Sequence, residues 1–237
     1  MGTARDFDKI LKEELAIHAA WLPITNTFKL GDYGLISDGV LVKIGNIKDD
    51  FGVSFEQAPS PGAQLNFASK GTNMVRVAGG ATVEQFPGGD VDAKFTVGFE
   101  HQSSFFLKAQ LTVSEIQDLN KVAYQLGRLT EWEGRFRVVS ALYYGMNCVL
   151  ISSKAAGSVI ELSGKANALQ QLDLGAVFAG VQVTNRKDIG LEHVGKKGVI
   201  GLAMFKLGWF SPAKVLSTSE KIPIETSKDW RELPDDL

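Results

Sequence analysis

Few residues in this chain have the types and spacing of reactive groups. The three histidines, His18, His101 and His193, stand far apart, and none has a second histidine at ligand spacing, so no metal site is expected. Glu131 and Glu133 flank Trp132 and form the one candidate pair of acids, although surface glutamates in a solvated loop are the commoner arrangement. The single cysteine, Cys148, rules out an intrachain disulfide and a cysteine-based zinc site. It sits in an apolar run, where a buried structural thiol is expected. No nucleophile elbow, P-loop or Gly-x-Gly-x-x-Gly opening a helix is present. The expected catalytic, cofactor and metal residues are therefore none, and an enzyme would need a triad assembled only in space.

The remaining chemistry is that of surfaces. The 237 residues carry a net charge of −2 with 44% apolar content, which gives no bulk attraction to nucleic acid and enough material for one substantial core. The N-terminus lacks an apolar signal region, and Gly2 is followed by Asp6 where myristoylation wants Ser or Thr, so a cytosolic chain is expected. No window approaches 18 uninterrupted apolar residues. Arg5, Lys9 and Lys12 near the first helix, with Lys43 and Lys48, form a candidate patch for anionic lipid headgroups.

The elements that position such surfaces centre on Arg135 to Ser152, rich in β-branched and aromatic residues and apolar on both faces. This pattern predicts a long central strand, bent at Gly145, with a turn at Lys154-Ala-Ala-Gly and a second strand over 158–165. Phe7, Leu11, Leu15, His18 and Leu22 predict a first helix from Phe7 to Leu22, ended by Pro23. Two strands over 28–47 meet at a Ser37-Asp38-Gly39 turn. From Phe51 to Phe99 the expected strands are short and amphipathic: Phe51, Val53 and Phe55; Leu65 and Phe67; and Ala93, Phe95, Val97 and Phe99. Loose linkers are expected at 58–62, 69–73, 78–80 and 87–90. Thr112 and Glu115 form a capping box that predicts a second helix ending at Gly127. Strands follow at 175–184, 190–194 and 199–210, with a turn at Gly195-Lys-Lys-Gly198, and a polar tail begins at Ser211. The fold class expected is α+β: a mixed, mainly antiparallel twisted sheet with the N-terminal helix and the capped helix packed on it.

This order of elements resembles the pore-forming domain of the gasdermin family, in particular its compact bacterial and fungal members. Lys29-Leu-Gly-Asp-Tyr-Gly is similar to the family's early strand, Arg137-Val-Val-Ser-Ala-Leu-Tyr-Tyr to the strand entering its second hairpin, and Gly198 to Leu207 to its closing strand. The resemblance covers residues 1–210, leaving 211–237 as a C-terminal tail and candidate autoinhibitory segment. It departs at cysteine: bacterial members typically carry a lipidated cysteine near the N-terminus, and here only Cys148 exists.

The resemblance implies a protein that is cytoplasmic until activated by a protease or partner protein. It would then oligomerise on a membrane of anionic lipids and insert amphipathic β-hairpins in cell death or antiviral defence. The hairpin residues so implied are Phe51, Val53, Phe55, Leu65, Phe67, Val159, Ile160 and Leu162. In the tail, Trp230 and Leu233 are the apolar anchors of a candidate latch. The alternative is a soluble, non-catalytic α+β binding or scaffold protein, since the same alternation describes any half-exposed antiparallel sheet.

Overall fold

The computed structural model describes residues 3–173, 181–208 and 211–217. Among these the chain order is α1 (Thr3–Leu15), β1 (His18–Ala19), β2 (Asp32–Ser37), β3 (Val40–Asn46), α2 (Ile47–Phe51), β4 (Gln57–Ala68), β5 (Thr72–Ala78), β6 (Ala81–Thr82), β7 (Asp92–Phe99), β8 (Phe105–Ile116), α3 (Leu119–Leu126), β9 (Arg137–Ser153), β10 (Ser158–Lys165), α4 (Ala166–Asp173), β11 (Gln182–Lys187), β12 (Ile189–Gly208) and β13 (Ser211–Ser217). The strands form two antiparallel sheets in an α+β fold. The first runs β4-β8-β9-β12, with β1 and β13 also on β12 and the β2–β3 hairpin beside the start of β9. The second runs β11-β10-β7-β5-β6.

β9 is central, as its two-sided apolar pattern requires. It pairs with β8 on one side and β12 on the other. Cys148 and Leu150 face a cluster built on α1, with Phe7, Leu11, Leu15, Phe105 and Leu107. Val149 and Ile151 face the second sheet, with Phe95, Val97, Phe99, Ile160 and Leu162. A third cluster joins Tyr33, Ile47, Val138, Leu126 and Phe205. The β2–β3 turn forms where expected, with Asp38 at φ 49 and Gly39 at φ 84 in the left-handed region that such turns demand.

Tertiary pairing overrides local signals at six places. The first helix stops at Leu15, because Ala16 turns left-handed at φ 52 and His18–Ala19 joins β12; it does not reach Pro23. Thr112 and Glu115 do not cap a helix. They pair with Tyr144 and Ala141 in the ladder, and α3 starts three residues beyond β8 with Asp118 as its N-cap. Phe51 ends α2 and Val53 and Phe55 lie in the segment after it, so the strand expected there is absent. Residues 58–62 are not a linker: they belong to β4, an edge strand that tolerates Pro59 and Pro61 through a register shift between Ser60 and Ala63. Gly195 to Gly198 is a bulge within a continuous β12. Residues 211–217, expected to open the tail, form β13 on β12.

Candidate functional site

The two sheets carry the same strand order. β4, β8, β9 and β12 of the first continue along the chain into β5, β7, β10 and β11 of the second. Four strands, in two hairpins, thus pass from one sheet into the other, and each turns at a crease between the sheets. The crease comprises 69–71, 100–104, 154–157 and Asp188.

Register across the crease is informative. Phe99 pairs with Ser158 and Phe105 with Ser152, six residues on along one strand and six back along the other. The five residues 100–104 therefore face the five residues 153–157, and the inner ribbon keeps one register on both sides of the crease.

Polar contacts fix the bend. The hydroxyl of Ser153, a buried residue, donates to the carbonyl of His101 at 2.8 Å and accepts from the amide of Ser104 at 2.8 Å. Ser158 Oγ, also in a buried residue, donates to the carbonyl of Asp188 at 2.7 Å. Ser69 Oγ accepts from the amide of Phe105 at 2.8 Å. These hydroxyls stand where ladder partners would be in a straight sheet.

Of the expected hairpin residues, Leu65 and Phe67 lie in β4 against the α1 cluster, and Ile160 and Leu162 lie in β10 between the sheets. Val159 is half-buried on the other side of β10. Phe51, Val53 and Phe55 pack instead with Tyr33, Trp132 and Phe136, away from the crease. The structure adds Phe95, Val97 and Phe99 of β7. Their alternation was readable in the sequence, but only pairing shows that β7 lies beside β10.

The five candidate cations differ in their surroundings. Arg5, Lys9 and Lys48 are exposed, and Lys9 lies 3.8 Å from Glu13. Lys12 reaches Asp8 at 2.8 Å and Lys43 reaches Asp32 at 2.8 Å; both carboxylates are buried. Asp8 also accepts from the amide of Ala19 at 3.0 Å and lies 3.3 Å from Nδ1 of His18. It thus ties α1 to β1 and the edge of β12.

Burial alone would raise the Asp8 pKa, but His18, Lys12 and the Ala19 amide more than offset it, and the net shift is downward from 3.8. A depressed carboxylate pKa contributes stability above the unfolded value and loses it as pH falls through the folded one. Acid titration should therefore show wild type more stable than Asp8→Asn at neutral pH, with the difference shrinking below about pH 4. A constant gap across the titration would mean that Asp8 acts by packing alone.

The remaining reactive groups are set apart. Burial pushes the Cys148 thiol up to about 12, so it carries no thiolate at neutral pH. Burial first, then Lys196, lowers the His193 pKa. His101 is exposed at the crease. Among the described residues, no three His, Cys, Asp or Glu side chains gather into a metal-sized group, and no helix is long and apolar enough to cross a membrane. Trp230 and Leu233 lie outside the described residues.

No family model and no curated protein matches the sequence. Solved structures similar to this chain include two gasdermins. A bacterial gasdermin from Bradyrhizobium tropiciagri is 14% identical, with 90% of each chain covered and a TM-score of 0.39. The gasdermin A3 membrane pore is 8% identical, with 91% of this chain and 94% of that one covered and a TM-score of 0.32.

Proposed function

We propose that this protein forms membrane pores: the creased sheet straightens at a membrane, and the two hairpins of several copies close into a β-barrel. The observation that carries the reading is the register of the inner ribbon. Straightening keeps every existing pair between β7 and β10 and between β8 and β9, and lets the crease residues pair with one another. A bilayer demands such pairing, since it offers backbone groups no water.

Away from the crease, where His101 and Lys154 fall on the apolar side, the faces that straightening creates suit a bilayer. Side chains alternate along a strand, so Ala93, Phe95, Val97 and Phe99 fall on the same face as Phe105, Leu107 and Ala109. Lys94, Thr96, Glu100, Lys108 and Gln110 fall on the other. Ile160 and Leu162 join Leu150 on the apolar face of the partner strand. β8 alone has 12 residues, and a barrel strand needs about 9–11 to cross the hydrocarbon. In the closed form α1 covers Phe105, Leu107 and Leu150, so α1 must move for this face to meet lipid.

Arg5, Lys9, Lys12, Lys43 and Lys48 serve this reading as headgroup contacts. Arg5→Glu with Lys9→Glu should weaken pelleting with phosphatidylserine vesicles by at least about 1 kcal/mol per charge. Lys12 and Lys43 are poorer test sites, because reversing either leaves a buried carboxylate without its cation. Unchanged pelleting would remove this end of α1 from the contact surface.

The reading is tested by dye release from phosphatidylserine vesicles, using the full chain and a chain ending after Ser217, which retains β13. Release only by the shortened chain supports a latch in the tail, with Trp230 and Leu233 as its anchors. Release by the full chain points to lipid or a partner as the trigger. Release by neither favours a non-catalytic binding or scaffold module.

A further inference from the structure

Four strands cross the crease, and only the inner two keep their register. Between β4–β5 and β7–β8, Ala68 pairs with Phe106 and Thr72 with Phe99: seven residues on the inner strand against four on the outer. Residues 72–78 are therefore stored three places out of step with the ladder that β4 makes.

An odd offset turns a strand over. In the closed form Met74 pairs with Val97 and Arg76 with Phe95, so both stand on the face of the apolar core, and the Arg76 guanidinium sits 5.3 Å from the Phe95 ring centre. Val75 pairs with Thr96 on the opposite face and is 44% exposed. This is a poor arrangement for a lipid-facing strand, because it would put an arginine against hydrocarbon.

We infer that β5 slips by three residues and turns over when the sheet straightens, so that Val75 and Val77 face lipid and Met74 and Arg76 face the barrel lumen. Two independent observations agree. The offset at the crease requires three residues, and the strand's own pattern wants the same inversion. After the slip Val75 stands opposite Phe99 and Val77 opposite Val97. Leu65, Phe67, Val75 and Val77 then share one face of a continuous strand, with Asn66, Lys70 and Arg76 on the other. The exposed valine of the closed form is thus a lipid contact held in reserve. The inference rests on the pore reading and specifies the register in which that pore is built.

The test compares Val75→Lys and Arg76→Val in dye release from phosphatidylserine vesicles, with thermal melting of each soluble chain as the folding control. Val75→Lys should fold, since the side chain is already half in water, and should cut the release rate at least about tenfold. Arg76→Val should leave release within about twofold of wild type. A chain that kept its closed register would behave in the opposite way: Val75→Lys would be silent and Arg76→Val would speed release by removing a lipid-facing charge. That result overturns the slip while leaving the pore reading standing. Should Val75→Lys fail to fold, the Arg76→Val result alone decides, because acceleration contradicts the slip and invariance supports it. If no chain releases dye under any trigger, the pore reading falls and the slip falls with it.

Discussion

Ala156→Pro should raise the stability of the soluble chain slightly and abolish dye release. Ala155 to Ser158 is a β-turn closed by the Ser158 amide on the Ala155 carbonyl at 3.3 Å, with Gly157 at φ 77. Ala156 holds the second position, where proline's fixed φ fits a turn with a left-handed third residue. It is exposed, and no backbone bond from its amide is lost. Proline at such a position stabilises by about 0.4–1 kcal/mol by restricting the unfolded chain. In a straight ribbon the same residue faces His101 in the interior of the sheet, where proline deletes a ladder donor and kinks the strand. Bent and straight forms are thus pushed in opposite directions by one side chain. Melting and dye release measured on the same preparation check this. Normal release by Ala156→Pro would mean that 154–157 stays turned in the active form.

Phe7→Ala should destabilise the soluble chain by about 3–5 kcal/mol and hasten release. Phe7 is fully buried, and its ring lies 4.8 Å from that of Phe105 and 6.4 Å from that of Trp21. With Leu11 and Leu15 it pins α1 to β8. Removing it leaves a cavity over Phe105, Leu107 and Leu150, the face that the proposed straightening would deliver to lipid. Denaturant unfolding gives the stability change, and the lag before dye release gives the functional one. A destabilised variant with an unaltered lag would separate α1 from the opening step.

The fold was legible where long-range pattern and local propensity agree. β9 announced itself because a strand buried on both faces must be apolar on both faces, and Val149 with Leu150 is such a step. The Asp38-Gly39 turn was legible because its backbone demands those residue types. The sequence misled where a local motif competed with a ladder. Thr112-Val-Ser-Glu115 has the spacing of a capping box, yet Val113 and Ile116 lie in the β8 ladders and bury their side chains in different clusters. Pro59 and Pro61 looked like a linker because nothing in the sequence marks β4 as an edge.

The candidate site was half visible. The amphipathic rows at Leu65–Phe67, Phe95–Phe99 and Ile160–Leu162 could be read directly, since period-two alternation is local. The crease could not. It is a relation between residues such as Phe99 and Ser158, and register is a property of pairs. The outlying Arg76 was invisible for the same reason, because its face has meaning only once Phe95 stands beside it.

The central claim is tested most directly by distance. Spin labels at Met146→Cys and Lys165→Cys bracket the crease along β9 and β10, and buried Cys148 stays unlabelled. In the soluble chain Val149 and Ile151 of β9 share a core with Ile160 and Leu162 of β10, so the labels should lie well short of the straight-strand distance. On phosphatidylserine vesicles that are releasing dye, a straight strand should carry them to about 60 Å. An unchanged short distance on leaking vesicles would contradict the account, because a pore would then be forming with the crease intact.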